Sequence, residues 1–299
     1  MVNPVMVTEV EIKQQVRDFY NQVGWQEVSE GCYQNASYED LRPVAREYIH
    51  RCHLRVGRHI PSGGRFLLDA GSGPIQYPEY LEYSHQFKYR VCLDISIVAL
   101  REAQKRIKGH GLFVVADIAR LPFKPDCFDG LVSLHTVHHL PSQEHVLAYQ
   151  EFFRVLTSGS SAVIVNGWDS SPLAALTNLL IHAVEWLYAR LKGKPASNQG
   201  GDSAEQYSVI KNHASSPEPT GTYFSKHNAA WLRQEVGEQM PLEIWVWRSV
   251  GVRFLRTFIH EKWGGRGWLR LLFWLEERFP HFLGKIGQYP LIVVNKASV

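Results

Sequence analysis

Between Arg65 and Asn166 the chain alternates short, nearly unbroken apolar runs with amphipathic stretches, and this alternation restricts the fold more than any other feature. The runs are Arg65–Gly71, Tyr89–Ile95, Leu112–Ile118, Phe128–Leu134 and Ser161–Asn166. Between them, Ile97, Leu100, Ala103 and Ile107 recur at helical spacing, as do the apolar positions Val146, Leu147, Phe152, Phe153 and Leu156 of Glu144–Leu156. Strands that are apolar on both faces and separated by helices predict a parallel sheet covered on each side.

The flanks read differently. Residues 1–60 are expected to be mostly helical, an N-terminal segment lying over the ligand site. Ala45, Tyr48, Ile49, Cys52 and Val56 share one helical face, and Pro61 with Gly63 and Gly64 ends it. Residues 61–169 form the α/β core. In 170–222, Leu173, Leu176, Leu180, Val184, Leu187 and Leu191 make a stripe that suits a cap helix packed on the sheet better than a membrane anchor. The rest of that stretch, rich in Gly, Ser, Asn and Pro, reads as a flexible insertion or lid. In 223–299, Asn228–Val236 looks helical, while Glu243–Trp247 and Tyr289–Asn295 look like strands that complete the sheet. Trp263, Trp268, Phe273 and Trp274 lie among Arg253, Arg256, Lys262, Arg266 and Arg270. Such a segment suits a membrane surface or an anionic substrate, but helical cover over the late strands is the plainer expectation.

Composition narrows the function. Lys and Arg number 32 against 29 Asp and Glu in 299 residues, a net charge of +3 that leaves no global footprint for nucleic acid. The four cysteines form no C-x-x-C pair, so neither a disulfide framework nor a zinc site is signalled, and no metal is expected. The first residues lack a signal peptide's charged and apolar regions, which makes a cytoplasmic protein the expectation. Asn178, His182, Glu185 and Arg190 interrupt the apolar stretch Pro172–Leu191 and argue against a membrane span.

Chemistry gathers at strand ends. The first strand closes on Asp69-Ala-Gly71-Ser-Gly73-Pro74, where glycines let backbone N–H groups approach a ligand. Asp94 ends the second strand, placed to accept both hydroxyls of a ribose, and Asp117 ends the third, placed for an adenine amino group. Together these indicate an adenosine ligand. An acid directly before the glycines would repel a pyrophosphate but suits a sulfonium or amino cation. Gln76 stands where a dinucleotide site wants a third glycine. S-adenosylmethionine is therefore favoured over NAD(P) as cofactor. An oxidoreductase on the same sheet is the alternative, as is a non-catalytic binding protein with this fold.

The segments LLDAGSG, CLDIS, VVADIARLPF, FDGLVSLHTVHHLP and EFFRVLTSG resemble the class I S-adenosylmethionine-dependent methyltransferases, more narrowly the type 11 group, over Phe66–Asn166. The resemblance implies a Rossmann-like α/β fold: a seven-stranded, mostly parallel sheet whose last strand, Tyr289–Asn295, is antiparallel. It implies that the turn Asp69, Ala70, Gly71, Ser72 and Gly73 wraps the cofactor's methionine part, and that Asp94 takes the ribose while Ile95 packs on adenine. Asp117 and Ile118 would meet the adenine edge, and Leu134 and His135 would lie under the methionine moiety. The family's third glycine is missing, with Ile75 in its vicinity. Tyr20 and Trp25 fall where the family's N-terminal helix closes over the cofactor, or are plain core aromatics.

His135, His138 and His139 suit a wall of the substrate pocket better than a metal site, with His138 or His139 as the base should the acceptor have to lose a proton. The expected reaction is in-line methyl transfer to an O, N or C atom of a small molecule, with an apolar, aromatic surround hinting at a lipophilic or aromatic acceptor. Peripheral membrane contact is the less favoured partner reading.

Overall fold

The structure, a computed structural model, describes residues 8–25, 27–29, 32–33, 39–192 and 222–298. Glu9–Phe19 forms α1, opened by a capping box in which the Glu11 N–H donates to Thr8 Oγ1 and the Thr8 N–H donates to the Glu11 carboxylate. It widens into a π turn over Tyr20–Gly24 and is followed by a hairpin of Glu27–Ser29 (β1) and Cys32–Tyr33 (β2). The mostly helical reading of 1–60 misses that hairpin, because strands of three and two residues are too short to display an alternating period. Arg46–Gly57 is α2.

The core then runs β3 (Gly64–Ala70), α3 (Glu79–Glu82), β4 (Phe87–Asp94), α4 (Ile97–Ile107), β5 (Gly111–Val115), β6 (Gly130–Leu134), α5 (His145–Val155) and β7 (Ser161–Val165). After α6 (Pro172–Lys192) come α7 (Ala229–Trp231), which continues as a π turn, β8 (Leu242–Arg248), α8 (Val252–Phe258), α9 (Gly265–Arg278), α10 (Pro280–Ile286) and β9 (Tyr289–Asn295).

Seven strands form one sheet in the order β5-β4-β3-β6-β7-β9-β8, with β9 antiparallel to both neighbours and the other pairings parallel. The period of two sorts side chains to opposite faces. Leu68, Leu131 and Ile164 pack with Phe152 and Val155 of α5, whereas Leu67, Val132 and Val163 pack with Cys52 and Val56 of α2 and with Phe273 of α9. The order reverses at β3, so its carboxyl end and that of β6 flank the crevice where open parallel sheets bind ligands.

One expectation outside the sheet needs correction. α6 is not a cap packed on the sheet: Thr177 and Ile181 are its buried positions, while Leu176, Leu180, Val184, Leu187 and Leu191 of the stripe are exposed. The stripe wraps too broadly for the narrow contact that α8 and α10 offer it. α9 does cover late strands through Leu269 and Phe273, but Trp263, Trp268 and Trp274 point to solvent. The buried Glu276 anchors α9, accepting from Tyr48 Oη, Arg55 and Ser249. Among the described residues no helix is long and apolar enough to cross a membrane.

Candidate cofactor and acceptor site

At the end of β3 the chain turns through Gly71 (φ +80°) and Gly73 (φ +54°). A Cβ on Gly71 would sit 2.1 Å from Thr136 Cγ2, and one on Gly73 would press on the Trp25 ring at 3.1 Å, so bare backbone is required where the turn faces the crevice. Ile75 answers the missing glycine. It adopts φ +55°, the conformation a glycine would take without strain, and the chain keeps the tight path. Its side chain is fully buried against Cys92, Leu100, Ala103 and Ile107, which offsets a backbone cost of about 1–3 kcal/mol.

The three strand-end acids are held differently. Asp94 is buried; its Oδ2 accepts from the Gly73 N–H at 2.9 Å and its Oδ1 from the Ser96 N–H at 2.8 Å, which ties the glycine turn to β4. Burial pushes its carboxyl up to about 6, with those N–H donors pulling the other way. Asp69 is paired with buried Arg90, whose Nε lies 3.0 Å from Oδ2. Desolvation raises the Asp69 carboxyl and Arg90 opposes the rise. Asp117 accepts from the Ala119 N–H through Oδ1 and meets Lys13 of α1 through Oδ2 at 2.5 Å, and Lys13 also pairs with Glu144.

The histidines follow β6. His135 takes φ +56° and donates its N–H to the Val165 carbonyl at 2.7 Å. His139 Nδ1 donates to the Tyr223 carbonyl at 2.9 Å, which leaves Nε2 as acceptor for the Tyr20 hydroxyl at 2.7 Å. Both nitrogens of His139 are thus engaged. His138 Nδ1 lies 3.1 Å from Asn166 Oδ1. Burial drives all three rings down, His135 to about 3 and His139 to about 4, with neighbouring cations adding to the effect, so all three are neutral at pH 7.

These groups enclose one cavity of about 300 Å³. Asp69, Gly71, Ser72, Gly73, Asp94, Ile95, Asp117, Ile118, Leu134, His135, His138, His139 and Tyr20 all line it. Ala70 does not; its methyl packs in the core with Leu68 and Leu93. Lys13, Glu39, Tyr77, Tyr80, Phe224, Lys226, Arg248 and Tyr289 also line the cavity, and none was singled out from sequence. Arg248 is buried and pairs with Glu39 at 2.6 Å. An arginine closing the apolar run Ile244–Trp247 was a visible signal, as was Arg90 inside its apolar strand. Lys13 gave none, since nothing local marks a lysine that reaches a distant carboxylate, and nothing local marks Lys226 as a cavity residue. The Pro172–Leu191 helix does not line the cavity. Among the described residues no cluster of His, Cys, Asp and Glu is arranged to hold a metal.

The cradle that a Cβ would fill, with carboxylates at three successive strand ends, fits S-adenosylmethionine. Residues 68–164 match the family profile described as a methyltransferase domain, and this segment is a class I S-adenosylmethionine-dependent methyltransferase domain. Over 163 residues the chain is 26% identical to the ubiquinone/menaquinone biosynthesis C-methyltransferase UbiE of Rhizobium rhizogenes, a match covering 48% of this chain and 62% of that protein. The match thus spans less than two thirds of that relative's length. In fold it is similar to a geranyl diphosphate C-methyltransferase of Streptomyces coelicolor (15% identity, 98% and 100% of the two chains, TM-score 0.53). It is also similar to the [4+2]-cyclase SpnF (16% identity, 98% of both chains, TM-score 0.50). A cyclase among these folds shows that the sheet alone does not fix the reaction.

Proposed function

We propose that the protein transfers a methyl group from S-adenosylmethionine to an O, N or C nucleophile of a lipophilic or aromatic small molecule. The observation that carries this reading is the meeting of Asp69, Asp94 and Asp117 with the bare backbone of Gly71 and Gly73 on a single cavity. Asp94 accepts the ribose hydroxyls, each of its oxygens keeping a lone pair beyond the N–H it already receives. Ile95 and Ile118 flank the adenine, and Asp117 takes its amino group. Asp69, Gly71, Ser72, Gly73, Leu134 and His135 hold the methionine end, with Tyr20 closing over it. When bound, the cofactor supplies a methyl group on a sulfonium that needs no protein acid to leave. The chain's tasks are therefore to align the acceptor, exclude water and accept a proton.

His138 is the better base of the two candidates, because both nitrogens of His139 are already engaged. A neutral imidazole held below its ordinary range is a weak base. Arg248 and Lys226 at the acceptor end compensate by stabilising an oxyanion form of the acceptor. Tyr77, Tyr80 and Tyr289 supply the aromatic wall. The quinone-pathway name of the curated relative supports an aromatic, lipophilic acceptor.

Calorimetric titration tests the reading. S-adenosylmethionine and S-adenosylhomocysteine are expected to bind at micromolar levels and NAD(H) not at all, and label from the methyl donor should pass to a phenolic or enolic acceptor. Binding of NAD(H) alone would favour an oxidoreductase instead.

A further inference from the structure

We propose that α6 with α9 and α10 forms a surface that docks on an anionic lipid bilayer. α6 turns Leu176, Leu180, Leu187 and Leu191 outward at spacings of four, seven and four, with Leu179, Val184 and Trp186 beside them. Leu179 is 67% and Leu191 76% exposed. A monomer seldom leaves so broad an apolar face in water unless something covers it. α10 packs against both α6 and α9; α9 exposes Trp268 and Trp274, α10 exposes Phe282, and Phe279 between them is exposed as well.

Charge selects the occupant. Residues 252–286 carry seven Lys and Arg against three Glu; of these, Glu276 is buried with Arg55. α6 has a single acid, Glu185, spent on Arg253 at 2.7 Å, while Arg190 stacks over Trp186 at 5.2 Å. Leucine and tryptophan interleaved with arginine match the boundary between acyl chains and anionic headgroups, where an amphipathic helix lies in the plane of the membrane. Docking on a second copy would bring Arg190 and its neighbours against their own images. Gly167 lines the cavity, and Trp168 Nε1 donates to the Gly284 carbonyl of α10 at 2.9 Å, which ties α10 to the segment after β7. This proposal stands apart from the methyl-transfer reading.

The test is co-sedimentation with vesicles of phosphatidylcholine alone and of phosphatidylcholine mixed with phosphatidylglycerol. The full chain should partition to the mixed vesicles, much less to the neutral ones, and lose binding at high salt. The double variant Leu179→Glu with Leu187→Glu should lose at least about tenfold in partitioning while its affinity for S-adenosylhomocysteine stays unchanged. Absent vesicle binding, a variant that binds like the parent, equal binding to neutral vesicles, or a dimer in light scattering that the variant splits would each overturn the proposal. The S-adenosylhomocysteine titration reads the cofactor site separately, so its failure is distinguishable.

Discussion

In the proposed reading, Asp94 couples fold to ligand. Its carboxylate receives two backbone N–H groups that shape the glycine turn, and burial lifts it to about 6. Ribose hydroxyls donate to the ionised form, whereas protonation turns one of its oxygens into a competing donor. Affinity for S-adenosylhomocysteine should therefore be flat above neutrality and fall as pH drops through about 6. Asp94→Ala should lose about 1.5–3 kcal/mol of binding and, with it, the acid step. A folded variant with unchanged calorimetric affinity, or with the step intact, would remove Asp94 from the site. The acids themselves were legible in the sequence because each ends an apolar run. Their partners were not: Lys13 lies 104 positions from Asp117, and no local pattern encodes a contact of that range. Ile75 illustrates the same limit, since a β-branched residue gives no sign that it will adopt a glycine's dihedral angle.

Among the elements, α1 and its π turn reach the cavity through Lys13, Val16, Phe19 and Tyr20. Three contacts seat them: Lys13 on Asp117 and Glu144, Tyr20 on His139, and Asn21 receiving the Ser96 hydroxyl at 2.7 Å. Lys13→Met keeps the length of the side chain but removes the ion pairs, a loss of about 1 kcal/mol for a partly buried pair. Stopped-flow release of S-adenosylhomocysteine should then speed up about fivefold with little change in association; an unaltered release rate would show that α1 does not retain the ligand. The helices of the core were readable because their apolar spacing names both the element and its inward face. For α6 the spacing showed that a stripe exists but could not say what it touches. The broad outward face appears only once the narrow seat on α8 and α10 is seen.

At the scale of the molecule, the alternation of strands and helices determined the parallel sheet, and the antiparallel β9 followed from resemblance to a family rather than from its own residues. The remaining shape of the cavity depends on chain brought in from both ends. Glu39 comes from before the sheet, and Lys226, Arg248 and Tyr289 come from after the domain core. Such long-range closure is what a single sequence conceals and what a specific acceptor pocket requires. The most direct measurement is a crystal structure with S-adenosylhomocysteine bound. The ribose should lie on Asp94, the adenine between Ile95 and Ile118 with its amino group toward Asp117, and the amino-acid end against Gly71 and Gly73. Density for the ligand outside this cavity, or a ribose with no contact to Asp94, would contradict the account.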